Sequence, residues 1–246
     1  IQKLKAKVPK QVSKLKRILK RKTVPRKKIG PQCNNPYTCD FVGHCWKKVP
    51  EYSVFDINNL KQKQKFELYH NGYVLLDQIP ETYKMGANQK LQVSAEVNKT
   101  VAIDANAIKG FLDNLNYPVY HLDFETFGLA IPILDNSRPF QQLVFQYSLH
   151  KQDVPNSTPL HFEHLGLGSG IDPRPDLIEK LVADCGQVGD ILVWNIGFER
   201  SKLNELALFS PYHADAIKAI VARLKDLMVP FQNRAYYTPA MKGSYS

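Results

Sequence analysis

Two acidic residues, Asp123 and Glu125, stand two positions apart in the stretch YPVYHLDFETF, directly after an apolar run. Val119, Tyr120 and Leu122 favour a strand, in which side chains two positions apart point to the same face. Two neighbouring carboxylates raise each other's pKa unless a cation neutralises them, and Mg²⁺ prefers oxygen ligands of this kind. The spacing therefore predicts a divalent-cation site on a strand inside a sheet. The alternative is an edge strand whose two acids are simply solvated.

A third acid, Glu199, follows the run DILVWN in the segment VWNIGFERSKLNELA. The run predicts a buried strand that ends near Asn195, and the segment after it predicts a helix with Glu199 near its start. Together with Asp123 and Glu125, this acid would complete a carboxylate-held metal site. Asn195 would either hydrogen-bond substrate or Glu199, or act as a cap at the strand end.

Other polar residues near these acids are weaker candidates. Donors suited to phosphates or base edges are predicted on the second strand, at Arg138, Gln141, Gln142 and Gln146. Strict alternation puts Gln141 and Gln146 on opposite faces, so they cannot all line one groove. His121 shares a face with Asp123 and is expected to support the site rather than bind an ion. Asp226 is predicted at the end of a helix, where a solvated carboxylate is the favoured interpretation.

Three cysteines, Cys33, Cys39 and Cys45, lie in the segment CNNPYTCDFVGHC, each separated from the next by five residues. In a reducing compartment such clustering favours a metal or iron–sulfur site over disulfides. A closed site needs a fourth ligand, which would be His44 or a cysteine upstream of residue 1. The predicted occupant is a 4Fe–4S cluster or Zn²⁺, and the alternative is three buried structural thiols. Cys185 is expected in the core.

The elements that must position these residues follow a basic segment. The first 28 residues hold thirteen lysines and arginines, and the first acid is Asp40, so the rest of the chain has twenty basic residues against twenty-three acidic ones. Apolar residues recur there at helical spacing, at Leu4, Val8, Val12, Leu15, Ile18 and Leu19. Such a helix suits a nucleic-acid phosphate backbone, and the alternatives are a solvated helix or a contact with anionic lipid.

Length and composition limit the class of protein. The 246 residues are 43% hydrophobic, which is enough for a real core. No run of about 18 apolar residues predicts a membrane span, and the lysine-rich start is unlike a secretory signal. We therefore expect a cytoplasmic protein. Because the chain starts with Ile and stops at GSYS, we also expect it to be an internal piece of a longer protein.

After residue 116 the chain alternates between strand and helix patterns. Two strands, QLVFQYSLHK and PLHFEHL, follow the acidic strand; then come the helix RPDLIEKLVADC, the strand DILVWN, and the helices FERSKLNELALF and AIKAIVARLKDLM. This order predicts an α/β protein with a mixed sheet covered by helices, and an RNase H-like fold fits it. Residues 49–116 are interpreted as a connector, with one helix ending at Asn71-Gly72 and another from Ala105 to Leu115.

HLDFETF and WNIGFE together resemble the first two motifs of the DEDD exonucleases of the DnaQ-like group, in which D-x-E and N-x-x-F-D hold two metal ions. Glu199 stands where that group has Asp. The chain more closely resembles a bacterial family that joins a RecB-like nuclease domain with a cysteine cluster to a DnaQ-like exonuclease domain. In that family, Glu looks usual at the position of Glu199. The segments similar to that family span most of residues 30–246: CNNPYTCDFVGHCW, SVFDI, YHLDFETFGLAIPIL, RPFQQLVFQYSLH, NIGFERSKLNELA, KDLMVPF and YYTPAMKGSYS.

The resemblance implies a metal-dependent 3′→5′ exonuclease that hydrolyses DNA or RNA phosphodiesters with two Mg²⁺ or Mn²⁺ ions. By resemblance, Asp123 would bridge the ions, Glu125 would bind one of them and Glu199 the other. Nucleic acid would be the partner, with no membrane. The alternative is a non-catalytic nucleic-acid-binding or assembly module of the same fold, and a weaker one is an iron–sulfur-dependent scaffold.

The resemblance also implies a division of the chain. Residues 1–48 would be the basic helix and cysteine-cluster tail of an upstream RecB-like domain, 49–116 the connector, and 117–246 the RNase H-like exonuclease domain. A third motif, with a fourth carboxylate and a Tyr or His as general base, is expected after Ser246.

Overall fold

The structure is a computed structural model that describes residues 5, 7–24, 27–135, 137–166, 168 and 170–245 of the chain. Of the residues named for the predicted basic segment, Lys3, Leu4 and Arg26 lie outside these described residues. The chain divides into two compact units, residues 1–97 and residues 98–246. The helix predicted from Ala105 onwards therefore belongs to the second unit.

The basic segment forms a helix, α1 (Val8–Leu19), as predicted. A proline stands in its first turn, where a missing N–H removes no intrahelical hydrogen bond. Lys16 and Arg17 lie in the last turn, near the negative end of the helix dipole. The apolar stripe is exposed, at Val8, Val12, Leu15 and Leu19. The helix thus presents both its lysines and its apolar residues to solvent.

Short helices make up the rest of the first unit. They are α2 (Val42–Cys45), α3 (Gln62–His70) and α4 (Ala87–Asn98), with 3-10 turns at Pro31–Cys33, Val54–Asp56 and Leu76–Gln78. α3 ends at His70, directly before the predicted stop at Asn71-Gly72, because Gly72 adopts a φ of 91° that other residues avoid. One apolar cluster includes Val54, Ile57 and Leu68, and a smaller one contains Ile29, Cys33 and Phe66.

The second unit contains the strands that position the acidic residues. They are β1 (Ala102–Ile103), β2 (Val119–Phe127), β3 (Leu143–Gln152), β4 (Leu160–Leu165), β5 (Ile191–Val193), β6 (Leu224–Asp226) and β7 (Tyr236–Tyr237). Its helices are α5 (Ala105–Asp113), α6 (Arg174–Asp184), α7 (Ile196–Phe209), α8 (Ala214–Ala222) and α9 (Val229–Gln232), with 3-10 turns at Pro211–His213 and Pro239–Met241.

The described strands form a mixed five-stranded sheet in the order β4-β3-β2-β5-β6. β3 runs antiparallel to β2 and β4, whereas β5 is parallel to β2 and β6 is parallel to β5. β1 and β7 form a separate antiparallel pair. The predicted mixed sheet with helices is confirmed. Because β2 lies in the centre, its two acids are not on an edge strand.

Alternation along β2 separates the core from the acidic face. Every second residue is buried, at Tyr120, Leu122 and Phe124. The residues between them, including Asp123 and Glu125, are exposed. Helices α6, α7 and α8 contribute to the core on the buried side, with no exposed surface at Leu177, Leu203 and Ile217. Each such side chain stabilises the fold by about 2 kcal/mol.

A β-bulge ends this alternation just after the second acid. Glu125 pairs with Gln146 of β3, but Thr126 pairs with Val144, so Phe145 is the extra residue on β3. A bulge bends its strand and increases the local twist. The acidic face of β2 is therefore confined to the stretch before Thr126.

Two predicted boundaries are wrong. The helix expected through AIKAIVARLKDLM ends at Ala222, and Leu224–Asp226 forms β6 because Leu224 is buried beside Ile191 of β5. Tertiary pairing overrides helix propensity at this position. β3 begins at Leu143, so Arg138, Gln141 and Gln142 lie in the loop before the strand. In that loop the Arg138 N–H donates to Gln141 Oε1 at 3.0 Å, which favours a turn.

None of the helices within the described residues combines the length and the apolar composition needed to cross a membrane.

Candidate functional site

The acidic face of β2 lies opposite the core side of the same strand. Asp123 pairs with Ser148 of β3, and Glu125 pairs with Gln146. Directly opposed residues of antiparallel strands point to the same face, so these four polar side chains form one patch. The predicted placement of Asp123 and Glu125 on one face of a central strand is confirmed.

Glu199 is buried, with only 2% of its surface exposed. It lies in the first turn of α7, as predicted. Its carboxylate accepts a hydrogen bond from the backbone N–H of Phe124, which stands between Asp123 and Glu125. The other oxygen, Oε2, is buried and has no hydrogen-bond partner among the described residues. An unpartnered buried carboxylate oxygen costs free energy and is open to a cation.

The three acids act on one another electrostatically. Burial raises the pKa of Glu199 from 4.5 to about 8, the charges of Asp123 and Glu125 raise it too, and the Phe124 hydrogen bond lowers it. The carboxyl group of Glu199 therefore holds a proton near neutral pH. A divalent cation between such groups would reverse this effect, because it stabilises the charged forms.

The start of α7 fixes the position of Glu199. Asn195 precedes the helix in the left-handed region, with φ of 69° and ψ of 71°, and its side chain does not cap the helix. Asp226, at the end of β6, accepts hydrogen bonds from the backbone N–H groups of Ile196 at 3.3 Å and Met228 at 2.9 Å. Asp226 is thus a structural cap at a strand end, and its predicted place on a solvated helix is wrong.

An open cleft of about 680 Å³ runs along this region, which is in the size range of ligand sites. Its polar lining consists of His121, Asp123, Ser148, His150, Asn195 and Glu199. Its large apolar lining residues include Trp194, Phe198 and Met228. The cleft therefore joins acidic groups to hydrogen-bonding groups and to flat aromatic surface.

Histidines of three neighbouring strands flank the acids. His121 of β2 pairs with His150 of β3, which pairs with His161 of β4. The rings of His150 and His161 stack at 4.3 Å, and Ser148 Oγ lies 3.1 Å from His161 Nε2. Burial lowers the pKa of His121, and the nearby His150 lowers it further. These side chains offer hydrogen-bond donors and acceptors beside Asp123.

The acids are near one another but do not form a finished metal site. Within the described ranges, no three His, Cys, Asp or Glu side chains are grouped so that they could hold a metal ion as they stand. Glu199 is fixed by burial, whereas the exposed side chains of Asp123 and Glu125 can change rotamer. Binding of an ion would therefore require these two side chains to turn toward Glu199.

Comparison with known proteins places the cleft inside a known family. The model of the family described as Domain of unknown function (DUF2779) matches residues 120–246, slightly more than half of the chain. The chain belongs to the DUF2779 family. The match includes the acidic residues of β2, the start of α7 and the β6 cap.

Two relatives are similar to about half of this chain. The uncharacterized protein MG366 of Mycoplasma genitalium is 30% identical over 129 residues, which is 50% of this chain and 19% of the relative. Its homologue in Mycoplasma pneumoniae is 31% identical over 140 residues, which is 52% of this chain and 20% of the relative. The matched part is thus about a fifth of the length of each relative. No solved structure matches the chain significantly.

Within the DUF2779 region, the predicted substrate-binding residues separate into two groups. Asn195 lines the cleft. Arg138 and Gln142 lie in the loop before β3 and are not among the described residues that line it. Gln142 instead accepts a hydrogen bond from Lys202 Nζ through its backbone carbonyl, at 3.2 Å. Gln146, opposite Glu125, is the glutamine of this set that reaches the acidic face.

The cysteine segment lies outside the DUF2779 region. Cys33 is buried in the cluster with Ile29 and Phe66, whereas Cys39 and Cys45 are exposed, and all are free thiols. The metal site predicted there stays a prediction. In the second unit, the prediction that Cys185 belongs to the core is confirmed, and burial raises the pKa of its thiol to about 12.

Trp194, Ser148 and His150 line the cleft but were not identified from the sequence. Ser148 and His150 alternate with the buried Tyr147 and Leu149, which is a pattern visible in QYSLHK. Their place beside Asp123 depends on the register between β2 and β3, which the sequence does not determine. Trp194 was interpreted only as part of an apolar strand.

Proposed function

We propose that the second unit is a metal-dependent nuclease domain, a 3′→5′ exonuclease that hydrolyses phosphodiester bonds of DNA or RNA. The observation that carries this proposal is Glu199. It is a buried acid with an unpartnered oxygen, hydrogen-bonded to the backbone between Asp123 and Glu125. An acid buried beside two others destabilises a fold, so such a cluster is expected where it has a function. A carboxyl group with a strongly shifted pKa in a cleft indicates a catalytic site.

The arrangement of the sheet supports an RNase H-like fold for this unit. Three consecutive antiparallel strands, β2 to β4, are followed by β5 and β6, which lie parallel to β2 on its other side. The D-x-E pair stands on the central strand, and the second acidic motif opens the helix after the neighbouring strand. The DnaQ-like resemblance of HLDFETF and WNIGFE implies this same placement. Fold alone does not define function, so the proposal depends on the acids.

The three acids have the chemistry of a site for Mg²⁺ or Mn²⁺. Asp123, Glu125 and Glu199 offer only carboxylate oxygens, which hard divalent cations prefer, and the free Oε2 of Glu199 lacks a partner. When bound, two such ions would lower the pKa of a water molecule and neutralise charge on the phosphate. By resemblance, Asp123 would hold both ions, Glu125 one of them and Glu199 the other.

Other residues near the acids either hold Glu199 in place or can bind substrate directly. The Phe124 N–H and the Asp226 cap hold Glu199 in place. A cation bound beside the Glu199 carboxyl group would lower its pKa, so that the group loses its proton. Ser148 and His150, across from Asp123 and His121, can donate to phosphate oxygens. The amide of Asn195 makes no cap bond, so it can bind sugar or phosphate.

The first unit would contribute contacts to nucleic acid and a thiol site. The exposed lysines of α1 fit a nucleic-acid backbone, and phosphate contacts of this kind weaken with salt. By resemblance, Cys33, Cys39 and Cys45 would hold a 4Fe–4S cluster or Zn²⁺ in the tail of an upstream RecB-like nuclease domain. A cytoplasmic location agrees with such a thiol site.

The experiment that tests the nuclease is the substitution Asp123→Asn, which removes a charge and keeps nearly the same volume. The assay follows Mn²⁺- or Mg²⁺-dependent digestion of a 3′-labelled single-stranded oligonucleotide. It uses the protein as its native gene encodes it, with any second nuclease centre inactivated. We expect a loss of at least about 10³-fold, because the site would supply several kcal/mol at 1.36 kcal/mol per factor of ten.

Asp215→Asn is the matched control, because it is the same substitution at a side chain that is 97% exposed in the first turn of α8, outside the lining of the cleft. It should digest at the wild-type rate. Unchanged digestion by Asp123→Asn contradicts the proposal. Glu199→Asp tests the second motif, because the shorter side chain restores the residue of the DnaQ-like group but would no longer reach an ion placed for Glu.

A non-catalytic nucleic-acid-binding module is the second candidate. The observation that favours it is that no ready-made metal group exists among the described side chains. Under this alternative, the protein binds oligonucleotides without metal-dependent digestion, and Asp123→Asn binds at least as well as wild type because it removes a negative charge near phosphate.

A further inference from the structure

Trp194 is a large apolar side chain that is 39% exposed inside the cleft. It follows the last residue of β5 and lines the same cleft as Asp123 and Glu199. Its neighbours in sequence, Leu192 and Val193, are buried as the strand pattern predicts. An indole that is partly exposed beside acidic residues contributes little to core packing. The alternative is that it forms a surface for a ligand.

The indole is supported from one side by a small aromatic stack. Phe231 of α9 packs against Trp194 with ring centroids 5.3 Å apart, and Tyr236 packs edge-on against Phe231 at 6.1 Å. The next residue, Asn195, is held in the left-handed region. Asn is one of the few non-glycine residues that adopt this conformation readily, so the turn after Trp194 forms at little cost. The ring is therefore preorganised, with its remaining surface toward the cleft.

The chemistry of the cleft specifies the kind of ligand that would meet this ring. The acids and their predicted ions suit a phosphate group of a ligand, while the indole of Trp194 suits a flat ring of the same ligand. A nucleotide carries both groups. Aromatic side chains stack on bases with little sequence preference, because every base has a π-face. In a duplex both faces of an internal base are covered, so an unpaired base is the one that can use Trp194.

We propose that Trp194 is the base-stacking residue of the cleft and holds an unpaired base next to the acids. This inference rests on the proposed function and assigns to it a contact that selects single-stranded substrate. Trp194 is a binding residue in this account, and Asp123, Glu125 and Glu199 remain the acidic site.

The sequence provides a direct optical test, because the chain has two tryptophans. Trp46 lies in the first unit against Phe55, with ring centroids 4.6 Å apart, so Trp46→Phe leaves Trp194 as the single indole. A short single-stranded oligothymidylate is titrated in Ca²⁺, which suppresses digestion. We expect saturable quenching of Trp194 emission. The same oligonucleotide with an abasic 3′-terminal nucleotide should quench much less.

A double-mutant cycle then measures the stacking. Trp194→Ala should weaken binding of the intact oligonucleotide by about 5- to 150-fold, which corresponds to about 1 to 3 kcal/mol. It should change binding of the abasic oligonucleotide by less than about twofold, because the partner of the ring is already absent. Trp194→Phe keeps an aromatic face and should retain most of the affinity, which separates stacking from a loss of fold. Tyr212→Ala, at a tyrosine that is 91% exposed outside the cleft lining, is the control and should bind as wild type.

Equal losses for the intact and the abasic oligonucleotide, or quenching that does not depend on the base, would overturn the stacking role. This failure can be told apart from failure of the nuclease proposal. If Asp123→Asn abolishes digestion while Trp194→Ala binds normally, the stacking inference alone is wrong. If digestion does not depend on Asp123, the proposed function is wrong.

Discussion

At the scale of single residues, Glu199 links the stability of the second unit to its proposed chemistry. A carboxyl group that is buried, with one oxygen unpartnered and two acids nearby, is stable only when protonated or when a cation is present. Asp123 and Glu125 reach solvent and face no such conflict. The free protein therefore carries a local destabilisation that increases with pH and that an ion would relieve.

The first consequence is a pH dependence of stability. The pKa of Glu199 is raised from 4.5 to about 8 on folding, so its contribution is fully present below about pH 4.5 and is lost as pH rises through 8. Between about pH 5 and pH 9 in chelator, wild type should lose on the order of 3 kcal/mol more unfolding free energy than Glu199→Gln. Urea unfolding of both proteins in the Trp46→Phe background, followed by Trp194 fluorescence, measures the difference.

Glu179→Gln serves as the control for this comparison, because Glu179 is exposed on α6. Its unfolding free energy should follow the wild-type pH dependence. If Glu199→Gln also follows it, Glu199 is not held in the buried, protonated form described above.

At the scale of secondary structure, the site depends on where three elements end. β5 ends at Val193, α7 begins at Ile196, and β6 ends at Asp226. The carboxylate of Asp226 accepts from the N–H groups at the start of α7 and after β6, so it ties these ends together. Because Glu199 lies in the first turn of α7, its position against β2 depends on this tie.

Asp226→Ala should therefore loosen the site as well as destabilise the unit. It leaves two backbone N–H groups without their acceptor, which costs about 1 to 3 kcal/mol. The first turn of α7 should fray, and Mn²⁺ affinity should fall with it. Asp215→Ala is the matched control, because Asp215 is 97% exposed in the first turn of α8 and only pairs with Lys218, for a loss below about 1 kcal/mol. Equal unfolding free energies and Mn²⁺ affinities for the two variants would show that the Asp226 hydrogen bonds do not position α7.

The same elements show what the sequence could and could not predict. Alternation in VYHLDFETF was enough to place Asp123 and Glu125 on one face, because burial of Leu122 and Phe124 fixes the strand's orientation. The helical pattern of AIKAIVARLKDLM concealed β6, since pairing of Leu224 with β5 outweighs a weak propensity. Register between strands was equally hidden, so neither Ser148 nor Gln146 could be assigned a partner.

At the scale of the whole molecule, charge is divided along the chain. Of the 33 lysines and arginines, thirteen lie in the first 28 residues, and the acidic cleft belongs to the second unit. A polyanion is attracted by such a segment but repelled by the exposed acids of β2, unless cations are bound between them and Glu199. Both features are visible in the sequence as patterns, but the sequence could not show that Glu199 would be buried with an unpartnered oxygen.

Titration of Mn²⁺ into the protein near pH 7, by calorimetry in two buffers of different ionisation enthalpy, tests the carboxylate site most directly. The account predicts saturable binding that releases close to one proton, because the pKa of Glu199 is about 8 before the ion arrives. Asp123→Asn and Glu199→Gln should each weaken binding by at least about tenfold, a loss of about 1.4 kcal/mol. With Glu199→Gln, the proton release should vanish. Equal Mn²⁺ binding by wild type and both variants, or binding without proton release, would contradict a shared cation site at these three acids.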